Sequence, residues 1–506
     1  MKRSETKRVY VCSTKRQFPG RVLVFAGTMT GMMGISLAAA LCMFSGCKTA
    51  GPDYVAPLSP PPNTWNAELR AGETVTSAET PVHWWTVFND PILTGLVARA
   101  QAGNLDVRQA VARVRAGRAE REMAMADRLP TLAANASASI TRSRGQTGPA
   151  RTSEHYANSL NASWELDLFG RKRHAAEAAE ATWQASQEDL HDVLVSLCAE
   201  VALAYVDVRA YQLRLAIADS NLVSQMETYE ITRWRLQAQL VTQLDVDQAR
   251  LILEQTRASL PSLRTGLEKS KHRLATLLGL PPGAMLTLLR ERRAIPVTPP
   301  EVAVGVPAEV LRHRPDVRRA ERQFAAQTAK IGIAAADRYP NFTLSGSIGL
   351  EALVAGDLYT LAARTLSGAT AAGWTLLDGG RIDQTVTEQE ALRDESYGAY
   401  EAAILAALQD VEDALVAYAD EQDRRRALAD AEQAARSAAA VARDRYASGL
   451  IDFQTVLSTQ QSLLSVQDSL ASSEAQATSN LVRLYKALGG GWTPLPSVNS
   501  DLNEKK

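Results

Sequence analysis

The six histidines are the natural place to look for chemistry, and their spacing argues against it. His83, His155, His174, His191, His272 and His313 stand far apart, with no His-Glu-x-x-His pair to hold zinc. No Gly-x-x-x-x-Gly-Lys-Ser/Thr loop is present to cradle phosphate, and Gly489-Gly490-Gly491 follows a helical stretch and reads as a helix stop. Acidic residues are plentiful, but they sit on helical stretches whose polar faces they solvate. Of the four cysteines, Cys12, Cys42 and Cys47 lie near the N-terminus and Cys198 stands alone in the body. That pattern excludes an internal disulfide framework and a Cys-rich metal site. With 55 basic and 56 acidic residues in 506, no basic field points to nucleic acid. Neither catalysis nor cofactor binding is what these residues are arranged for.

One thiol is placed for a different reaction. Lys2, Arg3, Lys7, Arg8, Lys15, Arg16 and Arg21 precede an apolar run from Val22 to Phe44, which ends in Phe44-Ser45-Gly46-Cys47. A basic stretch, an apolar stretch and small residues before a cleavage point describe an export signal. Small residues ending at a cysteine resemble a bacterial lipobox, in which Cys47 becomes the lipidated first residue; Phe44 stands where leucine is usual. The other reading is an uncleaved signal anchor, since a run of ~20 apolar residues is long enough to span a bilayer. Lys48 follows the cysteine where, in the sorting pattern this resembles, aspartate favours inner-membrane retention.

The elements behind this leader repeat. Asp106-Val107-Arg108-Gln109-Ala110 returns as Asp316-Val317-Arg318-Arg319-Ala320, and Ala126-Asp127-Arg128-Leu129-Pro130 as Ala336-Asp337-Arg338-Tyr339-Pro340. Trp164 to Arg171 matches Trp374 to Arg381, Arg235 and Leu240 match Arg445 and Leu450, and Leu278-Gly279 matches Leu488-Gly489. Every pair keeps one offset of ~210 residues, so the chain is a duplicated unit. Each half reads as helix, two strands, long helix, turn, helix. Ile404, Leu408, Val411, Leu415 and Tyr418 are spaced four and three, as are Leu194, Cys198, Val201, Tyr205 and Val208. These are coiled-coil seams. Arg171 to Gln237 would run ~67 residues and about 100 Å as helix, and two shorter flanking helices laid end to end nearly match it.

Between Pro130 and Phe169, and again between Pro340 and Asp378, apolar residues alternate with polar ones. Leu132, Ala134, Ala136, Ala138 and Ile140 form one series; Tyr156, Leu160, Ala162, Trp164 and Leu166 another. Phe342, Leu344, Ile348 and Leu350 follow, then Leu366, Ala372, Trp374 and Leu376. Period two over ~10 residues fits a membrane strand with one lipid face and one wet face, or a half-buried soluble strand. After the leader no apolar helix is long enough to span a bilayer, and membranes accept only helices or closed barrels. Four strands cannot close alone, because closed barrels start at about eight. The barrel must then be shared between copies, eight strands from two or twelve from three.

These residues resemble the outer membrane factor family, in its lipoprotein branch of TolC-like, NodT-type channels. The resemblance is carried by Cys47 with Gly51-Pro52-Asp53-Tyr54-Val55-Ala56-Pro57, and by Trp84-Trp85-Thr86-Val87-Phe88-Asn89-Asp90-Pro91-Ile92-Leu93. Asn104 to Ala110, Trp164-Glu165-Leu166-Asp167-Leu168-Phe169-Gly170-Arg171 and Arg314-Pro315-Asp316-Val317 extend it over nearly the whole mature chain. It implies an α+β membrane protein: a homotrimer with a long coiled-coil α-barrel and a shared twelve-stranded transmembrane β-barrel. It also implies passive efflux of small molecules, a periplasmic adaptor, and an inner-membrane pump of the resistance-nodulation-division type. The expected organisation is a signal peptide over 1–46, a lipid-anchored linker over 47–89, one repeat over 90–300 with strands about 131–167, a second over 301–489 with strands about 341–377, and a tail over 490–506.

Members of the family close the periplasmic tip just past the turns of the coils. By position, the resemblance puts the lumen constriction at Gln454, Thr455 and Ser458. Coil restraint would fall to Arg235, Asp245, Asp247, Gln248, Arg445 and Tyr446. Ser458 stands where aspartate is common, leaving Asp452 and Asp245 to supply negative charge. The turn Tyr446-Ala447-Ser448-Gly449 is the expected adaptor-docking edge, with Gly449 freeing the backbone. Two rivals remain: the exit duct of a type I protein secretion system, and a structural periplasmic coiled-coil lipoprotein needing no lipid-facing strands. Heat-modifiable trimers with conductance steps favour the channel; solubility without detergent after replacing Cys47 favours the coiled coil.

Overall fold

The structure is a computed structural model; it describes residues 49–57, 64–67, 73–75, 82–144, 149–299, 302–304 and 307–492. Cys47 lies outside them. In chain order the elements are β1 (Glu73–Val75), a 3-10 turn (Trp84–Phe88), α1 (Pro91–Gly103), α2 (Leu105–Ala126), β2 (Thr131–Ser143), β3 (Arg151–Leu166), α3 (Arg171–Gln237) and α4 (Gln243–Leu277). The second half runs β4 (Val302–Val304), α5 (Pro307–His313), α6 (Pro315–Ala336), β5 (Asn341–Ala352), β6 (Arg364–Gly373), α7 (Arg381–Ala447) and α8 (Phe453–Ala487). The duplication is visible in helix length: 22, 67 and 35 residues in each half.

The shorter helices stack along the long ones. α3 packs against α2 and α6 in its first part and against α4 and α8 further on, while α7 packs mainly against α6 and α8. This asymmetry shows in burial. Two helices of 67 residues bury 26 side chains in α3 and 12 in α7, so α3 is interior to the wall and α7 is its edge. The seams lie where the spacing predicts: Cys198, Val201, Tyr205 and Val208 are buried on α3, and Ile404, Val411, Leu415 and Tyr418 on α7.

The main core forms where the stacked helices meet, and the Trp84-Trp85 motif fills it. Trp84 is fully buried and stacks on Tyr485 with ring centres 5.5 Å apart; Leu93, Leu96, Val201, Leu274, Val411 and Leu484 belong to the same cluster. Asp90 caps α1 by accepting from the backbone N–H groups of Ile92 and Leu93, and also accepts from the Tyr205 hydroxyl at 2.6 Å. Cys198 sits in this core as a free thiol, pushed up to about 12 by burial, and is no nucleophile at neutral pH. The stretch expected as a linker is docked where it is described: the backbone N–H groups of Asn66 and Ala67 donate to the Glu412 carboxylate on α7. The short parallel pair β1–β4 joins that stretch to the second repeat, a contact that carries no periodic signal.

The four long strands form one antiparallel sheet in the order β2-β3-β5-β6. One expectation needs correction: β6 ends at Gly373, short of Trp374 and Leu376. The reason is pairing. β6 has a ladder on one side only, and its partner β5 begins at Asn341, directly after Pro340, which has no N–H to extend it. β3 lies between two partners and runs to Leu166.

Replacing Trp84 with alanine empties a fully buried ring site and should cost about 3–5 kcal/mol. Trp234→Ala, at 62% exposure, should cost under about 0.5 kcal/mol. Denaturant midpoints of the detergent-solubilised protein check the contrast.

Candidate functional site

The first functional surface is the sheet. Its register puts Leu132, Ala134, Ala136, Ala138 and Ile140 of β2 on the same face as Leu160, Ala162, Trp164 and Leu166 of β3. Pairing of β3 with β5 brings Phe342, Leu344, Ile348 and Leu350 onto that face, and β6 adds Leu366 and Ala372. The other face carries Asn135, Ser137, Ser139, Ser159, Asn161, Ser163, Thr343, Ser345, Ser347, Thr365 and Ser367. Among the described residues no helix covers the apolar face: Leu366 is 84% exposed and Leu132 70%. A sheet that leaves this much apolar area in water would be unstable, so the face needs a partner that is itself apolar. Strands of 13, 16, 12 and 10 residues are long enough to cross the hydrocarbon. At the helical end, the indole N–H of Trp164 donates to the Arg128 carbonyl and that of Trp374 to the Arg338 carbonyl, both at 3.0 Å. Tryptophan with an apolar body and a polar handle is the residue of a membrane interface.

The second surface is the pair of tips where the coils turn back. Both turns have the same hydrogen bonds: Leu240 N–H donates to the Arg235 carbonyl and Leu450 N–H to the Arg445 carbonyl, each at 2.9 Å. Each turn holds one left-handed residue, Gln239 at φ 60° and Gly449 at φ 72°. Glycine takes that conformation without strain; glutamine does so at a cost of roughly 1 kcal/mol.

The helices that leave the turns are capped by the same bond with its ends exchanged. Thr242 starts α4 and forms a capping box with Asp245, its hydroxyl donating to Asp245 Oδ2 at 2.7 Å. Asp452 starts α8 and accepts from the Thr455 hydroxyl at 2.6 Å and the Thr455 N–H at 2.9 Å. These bonds hold the Asp452 carboxyl below the usual carboxylate range. Because the folded value is the depressed one, this stabilisation is complete above the unfolded value near ~3.9 and is lost as pH falls through the folded value. A hydroxyl and a carboxylate three residues apart mark a helix start in either order.

Arg235 takes a partner that its sequence neighbours do not suggest. Its guanidinium donates to the carbonyls of Tyr446 and Ala447 at 3.2 Å, at the C-terminal end of α7, and lies over the Tyr446 ring 4.3 Å from its centre. A cation against the last carbonyls of a helix meets the negative end of the helix dipole. Within one chain, then, Arg235 binds α7 rather than Asp245 or Asp247, and Asp247 accepts from Gln243 at 3.1 Å. Gln248 is half-buried on α4 and Arg445 is exposed. The Tyr446 ring is buried beside Phe453, Ala442, Val456 and Leu457, and Ala447–Leu450 of the same turn are exposed. Gln454, Thr455 and Ser458 share the exposed side of the first turns of α8, opposite buried Phe453, Val456 and Leu457.

A family model described as "Outer membrane efflux protein" matches residues 96–280 and 306–490, one match to each half. The chain is 35% identical over 466 residues to Nodulation protein T of Rhizobium leguminosarum bv. trifolii, covering 90% of this chain and 96% of that one. It is 30% identical over 485 residues to "Toluene efflux pump outer membrane protein TtgF" of Pseudomonas putida, covering 92% and 98%. The outer-membrane channel OprN superposes with a TM-score of 0.84 at 37% identity, over 88% of this chain and all of that one. The open-state MtrE channel of Neisseria gonorrhoeae gives 0.76 at 27% identity, over 88% and 98%. With both halves matched and relatives aligned along nearly their full length, the chain belongs to the outer membrane efflux protein family.

Proposed function

We propose that this chain is the exit channel of a tripartite efflux pump, working as a homotrimer anchored to the outer membrane through lipid on Cys47. Three copies supply twelve strands for one barrel in the membrane, and their helices continue as a tunnel into the periplasm. The observation that carries this reading is the four-stranded sheet, apolar on one face, polar on the other and, among the described residues, unpaired at both outer strands, β2 and β6. Hydrocarbon tolerates no unpaired ladder, so these edges must join other copies. The under-buried α7 supports the same assembly, because a second copy would supply its missing neighbour.

Transport through such a duct is passive diffusion along a wet lumen and needs no catalytic group or cofactor. Energy comes from an inner-membrane pump of the resistance-nodulation-division type, coupled through a periplasmic adaptor that meets the turns at Ala447–Leu450. Small molecules are the expected cargo, since a relative at 30% identity is named for toluene efflux. Purified protein in planar bilayers should give discrete conductance steps and run as a heat-modifiable trimer in detergent. A detergent-free monomer without bilayer affinity would end this reading.

The Arg235–α7 link is our candidate for closing the tip. A charge-assisted hydrogen bond contributes about 1.5 kcal/mol or more, so losing one that exists only in the closed state shifts the closed-to-open ratio by roughly tenfold. Arg235→Ala should therefore raise mean conductance, alone or with Asp245→Asn, whereas Arg445→Ala, exposed in the equivalent turn, should leave it near wild type. Equal conductance for Arg235→Ala and wild type would remove Arg235 from the gate.

A further inference from the structure

The segment Gly51-Pro52-Asp53-Tyr54 belongs to neither the sheet nor the coils, yet it is seated with close tolerances. The Ala50 N–H donates to the Phe169 carbonyl at 3.0 Å, at the entry to α3. Ala50 itself is buried with Ile331, Ala334 and Ala335 of α6 and Val386 of α7. A Cβ built on Gly51 would lie 2.4 Å from the Gly332 Cα, and one built on Gly332 would lie 2.5 Å from the His174 ring. Two backbones and a buried histidine ring therefore meet at a point that only two glycines allow. Further along, the Tyr54 hydroxyl donates to Glu321 at 2.8 Å, its ring meets Phe324 edge-on at 5.9 Å, and the Arg322 guanidinium lies over it. Burial and the Glu321 carboxylate push the Tyr54 phenol far up, so it stays a neutral donor. Arg173 of α3 donates to the Thr49 hydroxyl at 3.0 Å and lies 3.6 Å from Asp53.

These contacts have a common direction. One side of the seat is α3 of the first repeat and the residues just before it, through Phe169, Arg173 and His174; the other is α6 of the second, through Glu321, Phe324 and Gly332. We propose that Thr49–Ala56 is a strap that staples the two repeats together beside the sheet and delivers the lipid tether to both of them. The tether half of this rests on the lipidation of Cys47, which is joined to Thr49 through one residue; the staple half does not. A tether ending in a free linker would hold the protein near a membrane and nothing more. A tether ending in this seat ties the bilayer to the junction between helices and strands.

The test uses the full chain. Ala50→Cys is labelled with a membrane-impermeant maleimide in purified channel, alone and combined with Gly51→Val or Tyr54→Ala, which alter the strap and leave α3 and α6 untouched. The strap predicts slow labelling of Ala50→Cys alone and roughly tenfold faster labelling in both combinations, since a local opening has been released. Gly51→Val and Tyr54→Ala should also lower the temperature at which the trimer dissociates. Tyr54→Phe, which removes only the bond to Glu321, should fall between, and it serves if the stronger variants do not assemble. Equal labelling in all backgrounds, or unchanged dissociation, overturns the staple. Palmitate incorporation is followed separately. Its retention in the strap variants and loss in Cys47→Ser support the tether. Its absence from the wild type overturns the lipidation reading while leaving the staple to stand or fall on the labelling.

Discussion

In hydrocarbon no water is available to a backbone N–H or C=O, and each one left unpaired costs several kcal/mol. A sheet with two bare edges cannot exist there by itself, and among the described residues this chain carries such a sheet with its apolar face exposed. Other features of the architecture follow from meeting that demand. The edges require copies of the chain, copies side by side require helices that pack laterally along their whole length, and lateral packing gives α7 the flank that it lacks alone. The polar face of serine, threonine and asparagine then has only one place to go, which is the inside of the cylinder.

Duplication lets one half of the chain serve as a reference for the other. The two tips share their turn hydrogen bonds and helix lengths, so differences between them are not demanded by the fold. Thr242 with Asp245 and Asp452 with Thr455 reach the same capped helix start by opposite assignments of acid and hydroxyl. Arg235 spans to the neighbouring coil, and among the described residues Arg445 makes no matching bond. Gln239 holds a left-handed conformation that Gly449 takes freely, so the first turn is the strained one. The Arg235 bond ends on the Tyr446 and Ala447 carbonyls, so the two turns are tied to each other while Ser448, Gly449 and Leu450 stay exposed.

Fold legibility was uneven for a physical reason. The 67-residue helices, their seams and the alternation in the strands could be read from Ile404–Tyr418, Leu194–Val208 and Leu132–Ile140, because helix and strand periods are local properties of the chain. The end of β6 could not, because Trp374 and Leu376 keep the period after Gly373 while the partner strand has run out. The seat of Tyr54 on Glu321 and the reach of Arg235 to the Tyr446 carbonyl join residues more than 200 positions apart, and no window along the sequence contains both.

The unit and its repetition, the helix and strand segments, and the need for closure with other copies follow from periodicity and from the cost of unpaired backbone, and are written in the residues themselves. Which groups pair across that frame is settled in three dimensions. The tertiary structure placed Arg235 on a helix end rather than on an aspartate, buried the Tyr446 ring, committed Asp245 and Asp452 to capping, and brought Gly51 against Gly332. Such pairings depend on the angle and height at which helices pack, and those are set by the whole core at once.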